Sequence, residues 1–243
     1  MGRMKDRGSG AAMLLAAGKA TRLLGMRDQY AKACVPVSGT TPLAFLMPKL
    51  GAAGFSPIWI NLHHHADQVR AQAQSLAPVA ELRFLEEPEL LGTGGTFLEV
   101  VRREGALPRL VVNAKIFTDF DFGSLRDAAP GTCVLHPGSP LADFGGLRHD
   151  GHGNILGLAK RDESNDSASV FTGICVPHPA WLPHLAAARA ARPREPICLV
   201  RDGLIPALAE GVRHPAWLHA GGWCEISTPE RVAAAAKLLA ESV

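Results

Sequence analysis

The residues with the clearest chemistry lie near the N-terminus, where an apolar run ends at Gly18 and is followed by Lys19 and Arg22. Glycine has no side chain, so the backbone at Gly18 can approach a phosphate closely. Successive loop N–H groups and the two cations would then surround the anionic end of a nucleotide. The loop lacks the Gly-Lys-Ser/Thr ending of a Walker A loop and the Gly-x-Gly-x-x-Gly dinucleotide pattern. We therefore predict a phosphate pocket that belongs to neither of these classes.

Apolar, strand-like runs alternate with helix-like segments in the first half of the chain. The predicted strands are 12–17, 57–62, 81–85 and 109–113, and the predicted helices are 41–53, 66–76 and 96–103. Strands that are apolar throughout indicate a parallel sheet covered by helices on both faces. Ligands bind at the carboxyl ends of such strands, which is where Gly18, His63 and Asn113 fall.

The second half of the chain has a different pattern and predicts an appended part of the same domain. It contains a hairpin at 147–159, a buried strand at 170–176, helices at 180–191 and 199–210, short strands at 217–220 and 223–226, and a final helix at 229–242. We predict an α/β fold that forms a single domain over residues 11–243, with a small acceptor-binding lobe. Residues 1–10 are predicted to be a disordered tail or a cloning remnant.

Composition narrows the classes of partner. With 243 residues, 47% of them hydrophobic, the chain can bury an ample core. A net charge of +2 from interspersed charges gives no basic footprint for nucleic acid and no polybasic membrane patch. Five scattered cysteines without a Cys-x-x-Cys pair fit free thiols in a reducing compartment. We expect a cytoplasmic protein without a membrane segment, as a monomer or a homodimer.

Seven segments, in this order, carry a resemblance to a known family. They are 14–23 (LLAAGKATRL), 32–39 (KACVPVSG), 60–64 (INLHH), 87–96 (EPELLGTGGT), 111–122 (VVNAKIFTDFDF), 171–174 (FTGI) and 222–231 (GWCEISTPER). Together they resemble the sugar-1-phosphate nucleotidyltransferases, most closely the compact N-acetylmuramate- or mannose-1-phosphate branch. The resemblance implies a Rossmann-like, mainly parallel mixed sheet flanked by helices, of the nucleotide-diphospho-sugar transferase type. It also implies transfer of NMP from an NTP to a sugar 1-phosphate, with release of pyrophosphate.

The resemblance also suggests roles for individual residues. Arg22 would hold the triphosphate and Lys32 would lie at the reacting phosphates as a fixed cation. The predicted nucleotide-binding residues are Leu15, Ala16, Ala17, Gly18, Lys19, Glu87, Gly92, Thr93, Gly94 and Gly95. The predicted sugar-binding residues are Asn113, Gly146, Thr172 and Gly173.

The chain departs from the family pattern where the catalytic magnesium is usually bound. The family usually has an aspartate ligand at the position of Lys115, and the second carboxylate, usually an aspartate, is Glu225 here. The second glycine of the loop is replaced by Ala20, and the proline before Lys32 by Ala31. A lysine cannot bind a divalent cation, so the usual two-carboxylate Mg²⁺ site cannot form unaided.

Three explanations remain open from the sequence. The Lys115 ammonium could act catalytically by supplying the charge of the metal. Alternatively, Mg²⁺ could bind Glu225 together with Asp119 or Asp121, whose spacing puts both carboxylates on one side of an extended segment. In the third explanation the chain has lost catalysis and binds a nucleotide or sugar nucleotide to regulate a partner. The nucleobase and the acceptor are not determined by the sequence.

Two further features have plain structural interpretations. The run from His63 to His65 is predicted to be structural or to face the sugar rather than to bind a metal, because consecutive side chains of an extended segment alternate in direction. Cys224 has no adjacent cation in the sequence, so it is predicted to be an unreactive thiol.

Overall fold

The structure, a computed structural model, describes residues 10–23, 25–76, 80–150, 152–160, 162 and 167–241. The strands are β1 (Ala12–Leu15), β2 (Ile58–Leu62), β3 (Leu82–Glu86), β4 (Leu110–Asn113), β5 (Ile116–Thr118), β6 (Cys133–His136), β7 (Gly146–His149), β8 (Ile155–Ala159), β9 (Ala168–Cys175), β10 (Ala216–Leu218) and β11 (Trp223–Glu225). The helices are α1 (Pro42–Ala52), α2 (Ala66–Ser75), α3 (Gly92–Glu104), α4 (Leu141–Phe144), α5 (Trp181–Ala191), α6 (Ile205–Ala209) and α7 (Pro229–Glu241).

The chain divides into two compact units. The first comprises residues 1–90, 112–126 and 221–243, and the second comprises residues 91–111 and 127–220. The single domain over 11–243 stays a prediction, and each unit is described here by itself. The predicted tail lies almost wholly outside the described residues, which begin at Gly10.

Parallel strands form the centre of the first unit. β1 pairs with β2 and β2 pairs with β3, all parallel. All five residues of β2 are buried, as expected for a strand covered on both faces. Helix α1 begins with Pro42, and the Thr41 hydroxyl accepts a hydrogen bond from Ala44 N at 3.1 Å, a favourable N-cap.

A second, smaller sheet in the first unit joins segments that are distant in sequence. β5 pairs antiparallel with β11, with Ile116 opposite Glu225. Beneath it, an apolar cluster includes Leu23, Val35 and Phe117, together with Ile226 and the buried face of α7. Through Leu23 and Val35, this cluster packs the chain that follows Gly18 and the chain that follows Lys32 against β5 and β11.

The second unit contains mixed strand pairings. β6 pairs parallel with β10 and antiparallel with β9, and β7 pairs antiparallel with both β8 and β9. Helices α3 and α5 contact each other in this unit. Parallel and antiparallel strands flanked by helices confirm the predicted α/β class.

The structure corrects several predicted boundaries. Helix α3 starts at Gly92 rather than at Thr96. The segment predicted as one helix over 199–210 is a short π-helix at Val200–Leu204 followed by α6. The short elements β5, β6 and α4 were not predicted. None of the helices that the structure describes has the length and apolar character needed to span a bilayer.

Candidate functional site

The entrance to the glycine loop is fixed by a buried amide. Asn61, near the end of β2, accepts hydrogen bonds through Oδ1 from Ala16 N at 2.7 Å and Ala17 N at 3.3 Å. Its Nδ2 donates to Glu87 Oε1 at 2.8 Å, and Asn61 and Glu87 are only 4% and 3% exposed. The N–H groups of Ala16 and Ala17 therefore hold the entrance of the loop in place. The nucleotide-binding role of Leu15, Ala16 and Ala17 stays a prediction.

The loop itself opens beyond this anchor. Gly18 is exposed, and a Cβ placed on it would meet no atom within 4 Å, so protein packing does not require a glycine there. Lys19 and Arg22 are exposed as well. Ala20 is buried and has a φ of +52°, in the left-handed region that glycine adopts without strain. The backbone thus keeps a glycine-like conformation at the position where the family usually has its second glycine.

Lys32 stands at the centre of a group of charged side chains. It begins a short 3₁₀-helix whose next two residues, Ala33 and Cys34, are buried and hold it in place. Burial and the ammonium of Lys115 lower the pKa of Lys32 to about 8, while the Glu225 carboxylate raises it. The charges of Arg22 and Arg231 also contribute to this lowering, so four cations and one carboxylate interact in the first unit. The structure brings together the predicted residues Arg22, Lys32, Lys115 and Glu225.

Lys115 and Glu225 form a largely buried ion pair. The register of β5 and β11 sets Glu225 beside Lys115, and Lys115 Nζ lies 2.7 Å from Glu225 Oε2. The Lys115 carbonyl also accepts a hydrogen bond from Ile226 N at 2.8 Å. Burial alone would raise the pKa of Glu225, but the charges of Lys115 and Lys32 and hydrogen bonds from Lys115 and Ser227 lower it. The carboxylate is therefore ionised, with an ammonium as its partner.

These residues do not fit the Mg²⁺ site that the family implies. The Glu225 carboxylate is held by Lys115, whose positive charge would repel a metal ion. Asp119 Oδ2 accepts from Gly222 N at 2.8 Å and so holds the distant segment that precedes β11, whereas Asp121 Oδ1 accepts from Gly123 N at 2.9 Å and caps a short 3₁₀-helix. Both aspartates therefore have structural partners. Among the described residues, no group of three or more His, Cys, Asp or Glu side chains could hold a metal ion.

Arg231 was not predicted as a site residue. It lies in the first turn of α7, and its Nη1 donates to the buried Ser227 Oγ at 2.6 Å. Ser227 also donates to Glu225, so the guanidinium is joined through one hydroxyl to the Lys115–Glu225 pair. The sequence signal was present, because Arg231 ends the last of the seven family-like segments.

The Gly-Thr-Gly-Gly turn belongs to the second unit, where it begins α3 and packs against the chain around residues 196–199. A Cβ on Gly92, which has a φ of +74°, would collide with the Ile197 backbone, and a Cβ on Gly94 would lie 2.7 Å from Leu185 Cδ2. Thr93 Oγ1 accepts from Leu199 N at 2.9 Å. Packing therefore accounts for these residues, including Gly95, and their role towards a nucleotide stays a prediction.

The predicted sugar-binding residues are divided between the two units. Asn113, at the end of β4, is half-buried in the first unit. In the second unit, the Thr172 hydroxyl is buried, donates to Val134 O at 2.7 Å and accepts from Ile174 N at 3.3 Å. Gly146 is packed against the Ser169 carbonyl, and Gly173 has a φ of +85°. Local structure explains Gly146 and Thr172, and their contact with a sugar stays a prediction.

The histidine run makes backbone contacts. His63 Nδ1 bonds to Glu87 O at 2.8 Å, and His64 and His65 both direct Nε2 to Arg27 O at 2.9 Å. These contacts agree with the structural interpretation of the run. Cys224 also agrees with its prediction, because burial raises the pKa of its thiol to about 11.

The fold matches a known class of structure. The crystal structure of HddC from Yersinia pseudotuberculosis complexed with GMP-PN superposes with a TM-score of 0.70 at 18% sequence identity, covering 94% of this chain and 99% of that one. The family model for nucleotidyl transferases matches residues 11–242, so this chain belongs to the nucleotidyl transferase family.

Sequence relatives agree with this membership. N-acetylmuramate alpha-1-phosphate uridylyltransferase from Neisseria meningitidis serogroup B is 25% identical over 239 residues, which cover 93% of this chain and 99% of the relative. A protein of the same name from Caulobacter vibrioides is 33% identical over 107 residues, which cover 42% of this chain and 44% of the relative.

Proposed function

We propose that this nucleotidyltransferase transfers NMP from a nucleoside triphosphate to a sugar 1-phosphate and releases pyrophosphate. The observation that carries the proposal is the group of cations around Lys32, in the same compact unit as the open loop at Gly18. Membership of the family and the names of the uridylyltransferase relatives support the same reaction and favour it over a binder without catalysis.

The reaction requires positioning and charge neutralisation more than proton transfer. An oxygen of the sugar phosphate attacks the α-phosphorus of the triphosphate in line. The bond from the α-phosphorus to the oxygen that bridges it to the β-phosphate breaks, and that oxygen leaves with pyrophosphate. Lys32, already desolvated and facing Lys115, would stabilise the charge that moves onto the leaving group.

The substrates named in the relatives provide the first pair to test, namely UTP and N-acetylmuramate α-1-phosphate. A cytoplasmic location is part of the proposal. It is supported by the use of a nucleoside triphosphate and by the cysteines, all of which are free thiols.

The experiment that tests the proposal is a pyrophosphate-release assay with each common nucleoside triphosphate, with and without a panel of sugar 1-phosphates. We expect release only when both substrates are present. Lys32→Met keeps most of the side-chain stem and should lower turnover at least about a hundredfold, since the lost charge acts in the transition state. Lys237→Met, which removes an exposed lysine of α7, is the matched control and should retain wild-type turnover.

A second variant tests the loop. Gly18→Val adds a side chain where the protein leaves open space, so stability should change by less than about 0.5 kcal/mol. Affinity for the triphosphate should nevertheless fall at least about tenfold, because the backbone can no longer approach the phosphates. Unchanged affinity would show that the triphosphate does not bind at this loop.

A further inference from the structure

We infer that this site binds its polyphosphate as the metal-free anion, with Lys115 and Arg231 supplying the positive charge that a divalent cation would bring. The inference rests on the proposed function and concerns the form of its nucleotide substrate. It starts from the disagreement between the residues of the site and the magnesium that the family implies.

The Glu225 carboxylate lies within the group of charges around Lys32 and already has a cation as its partner. At 2.7 Å from Lys115 Nζ, Glu225 Oε2 makes a direct ammonium contact, and the two side chains are 28% and 13% exposed. Mg²⁺ requires near-octahedral oxygen ligands, several of them waters, at about 2.0–2.1 Å. To bind Glu225, the metal would have to displace an ammonium from a partly desolvated pair and then remain beside that ammonium. Repulsion at such separations amounts to several kcal/mol even at an effective dielectric constant of about 20.

Cations outnumber carboxylates in the group of charges around Lys32. Lys32 interacts with the charges of Lys115, Arg22 and Arg231, against the single carboxylate of Glu225. Like charges held together in a partly buried site destabilise one another until an anion binds. A polyphosphate that carries its full negative charge satisfies this group better than one whose charge is reduced by a bound metal ion.

A hydrogen bond to Ser227 positions the Arg231 side chain within this group of charges. Its Nη1 donates to Ser227 Oγ at 2.6 Å, and Ser227 donates in turn to Glu225. The planar guanidinium presents its N–H donors in a rigid fork that matches the oxygens of a phosphate. Lys32 also responds to its charge, which shows that Arg231 belongs to the same electrostatic group.

The test is calorimetric titration of the full chain with inorganic tripolyphosphate, and then with each common nucleoside triphosphate, in EDTA and in excess Mg²⁺. We expect the Kd to be at least about tenfold lower in EDTA than in Mg²⁺. Mg²⁺ bound to the polyphosphate reduces the negative charge that the protein's cations recognise, and EDTA removes that Mg²⁺. Equal affinity, or tighter binding in Mg²⁺, would overturn the inference and leave the proposed function standing. If neither tripolyphosphate nor any nucleoside triphosphate binds under either condition, the proposed function fails as well.

Variants separate the named cations from general surface charge. In EDTA, Arg231→Gln should weaken tripolyphosphate binding about tenfold, and Arg231→Lys should restore most of it because the charge returns. Lys237→Gln on the same helix is the matched control and should leave the Kd unchanged. If Arg231→Gln and Lys237→Gln behave alike, Arg231 has no part in the site.

Lys115→Asp should reverse the effect of Mg²⁺ on tripolyphosphate binding, a result that a purely structural role of Lys115 would not produce. It removes the ammonium from Glu225 and adds a second carboxylate, which together form a pair of oxygen ligands for Mg²⁺. We expect this variant to bind tripolyphosphate more tightly in Mg²⁺ than in EDTA, the opposite of the wild type. A variant that keeps the wild-type preference for EDTA would contradict the assignment of the metal's charge to Lys115.

Discussion

Removing the ammonium from the Lys115–Glu225 pair should destabilise the protein in a pH-dependent way. At 2.7 Å, opposite unit charges attract by about 6 kcal/mol at an effective dielectric constant of about 20, and desolvation offsets much of this. Loss of one partner of a fully buried pair costs about 3–5 kcal/mol. Lys115 is 28% exposed, and Lys32 and Ser227 still stabilise the carboxylate, so we expect Lys115→Met to cost about 2 kcal/mol.

For a chain of this size, a loss of about 2 kcal/mol lowers the Tm by about 4–8 °C, which thermal unfolding followed by circular dichroism would measure. The loss should shrink as the pH falls towards 5. In the variant, burial without the ammonium raises the pKa of Glu225, and the protonated carboxyl no longer requires a counter-charge. Lys115→Met/Glu225→Gln should recover more than half of the lost stability.

The exposed Arg83–Glu81 pair, also at 2.7 Å, provides the control, and Glu81→Gln should change the Tm by less than about 2 °C. If Lys115→Met shifts the Tm no more than this control does, the pair contributes nothing measurable. If the double variant is as unstable as the two single changes added together, the two groups are not coupled. Either result would refute the reasoning.

Three further predictions concern the supporting structure. Asn61→Leu removes a partner from Glu87 and from two loop N–H groups, so the free energy of unfolding in urea should fall by about 3 kcal/mol. Gly92→Ala forces a Cβ onto the Ile197 backbone at positive φ and should cost about 2 kcal/mol or more in the same assay, whereas a neutral result would show that the turn relaxes freely. Burial lowers the pKa of His214 in the folded state, so its contribution to stability is present above about pH 6.5 and is lost as the pH falls below that value. His214→Gln should therefore make the free energy of unfolding depend less on pH below about pH 6.5. An unchanged slope would exclude this histidine as the cause of the pH dependence.

The parallel strands of the first unit could be predicted from sequence because strands buried on both faces are apolar throughout. The residues at which these strands end could not be predicted, because the ends depend on tertiary hydrogen-bond partners. The first strand was predicted over 12–17 but ends at Leu15, since the next two N–H groups bind Asn61 instead of a neighbouring strand. Asn61 lies within one of the family-like segments, but only the fold shows that its amide joins the loop to Glu87.

Elements stabilised by distant residues were missed. β5 has three residues, too few to show a period, and its partner β11 lies more than a hundred residues away. Helix α3 begins with glycines that have low helix propensity, and their close packing against the 196–199 segment overrides that propensity. Three-residue strands and glycine-rich helix starts are therefore defined by tertiary contacts.

The candidate site was partly predictable from the positions of its family-like segments. Lys32, Lys115 and Glu225 were singled out in separate segments, and the structure places them in one electrostatic group. The ion pair between Lys115 and Glu225 could not be predicted from the sequence. It determines whether the Glu225 carboxylate is open to a metal ion or is held by the Lys115 ammonium. The role of Arg231 could not be predicted from its residue type, because a basic residue in the first turn of a helix is ordinarily solvated.

The central claim is that a sugar phosphate oxygen attacks the α-phosphorus of the triphosphate. The most direct test uses a sugar 1-phosphate labelled with ¹⁸O at its non-bridging phosphate oxygens, with the products analysed by mass spectrometry. We predict that all of the label is retained in a nucleoside diphosphate sugar and that the released pyrophosphate is unlabelled. Label in the pyrophosphate, or no diphosphate-linked product with any nucleoside triphosphate and sugar 1-phosphate, would contradict the account.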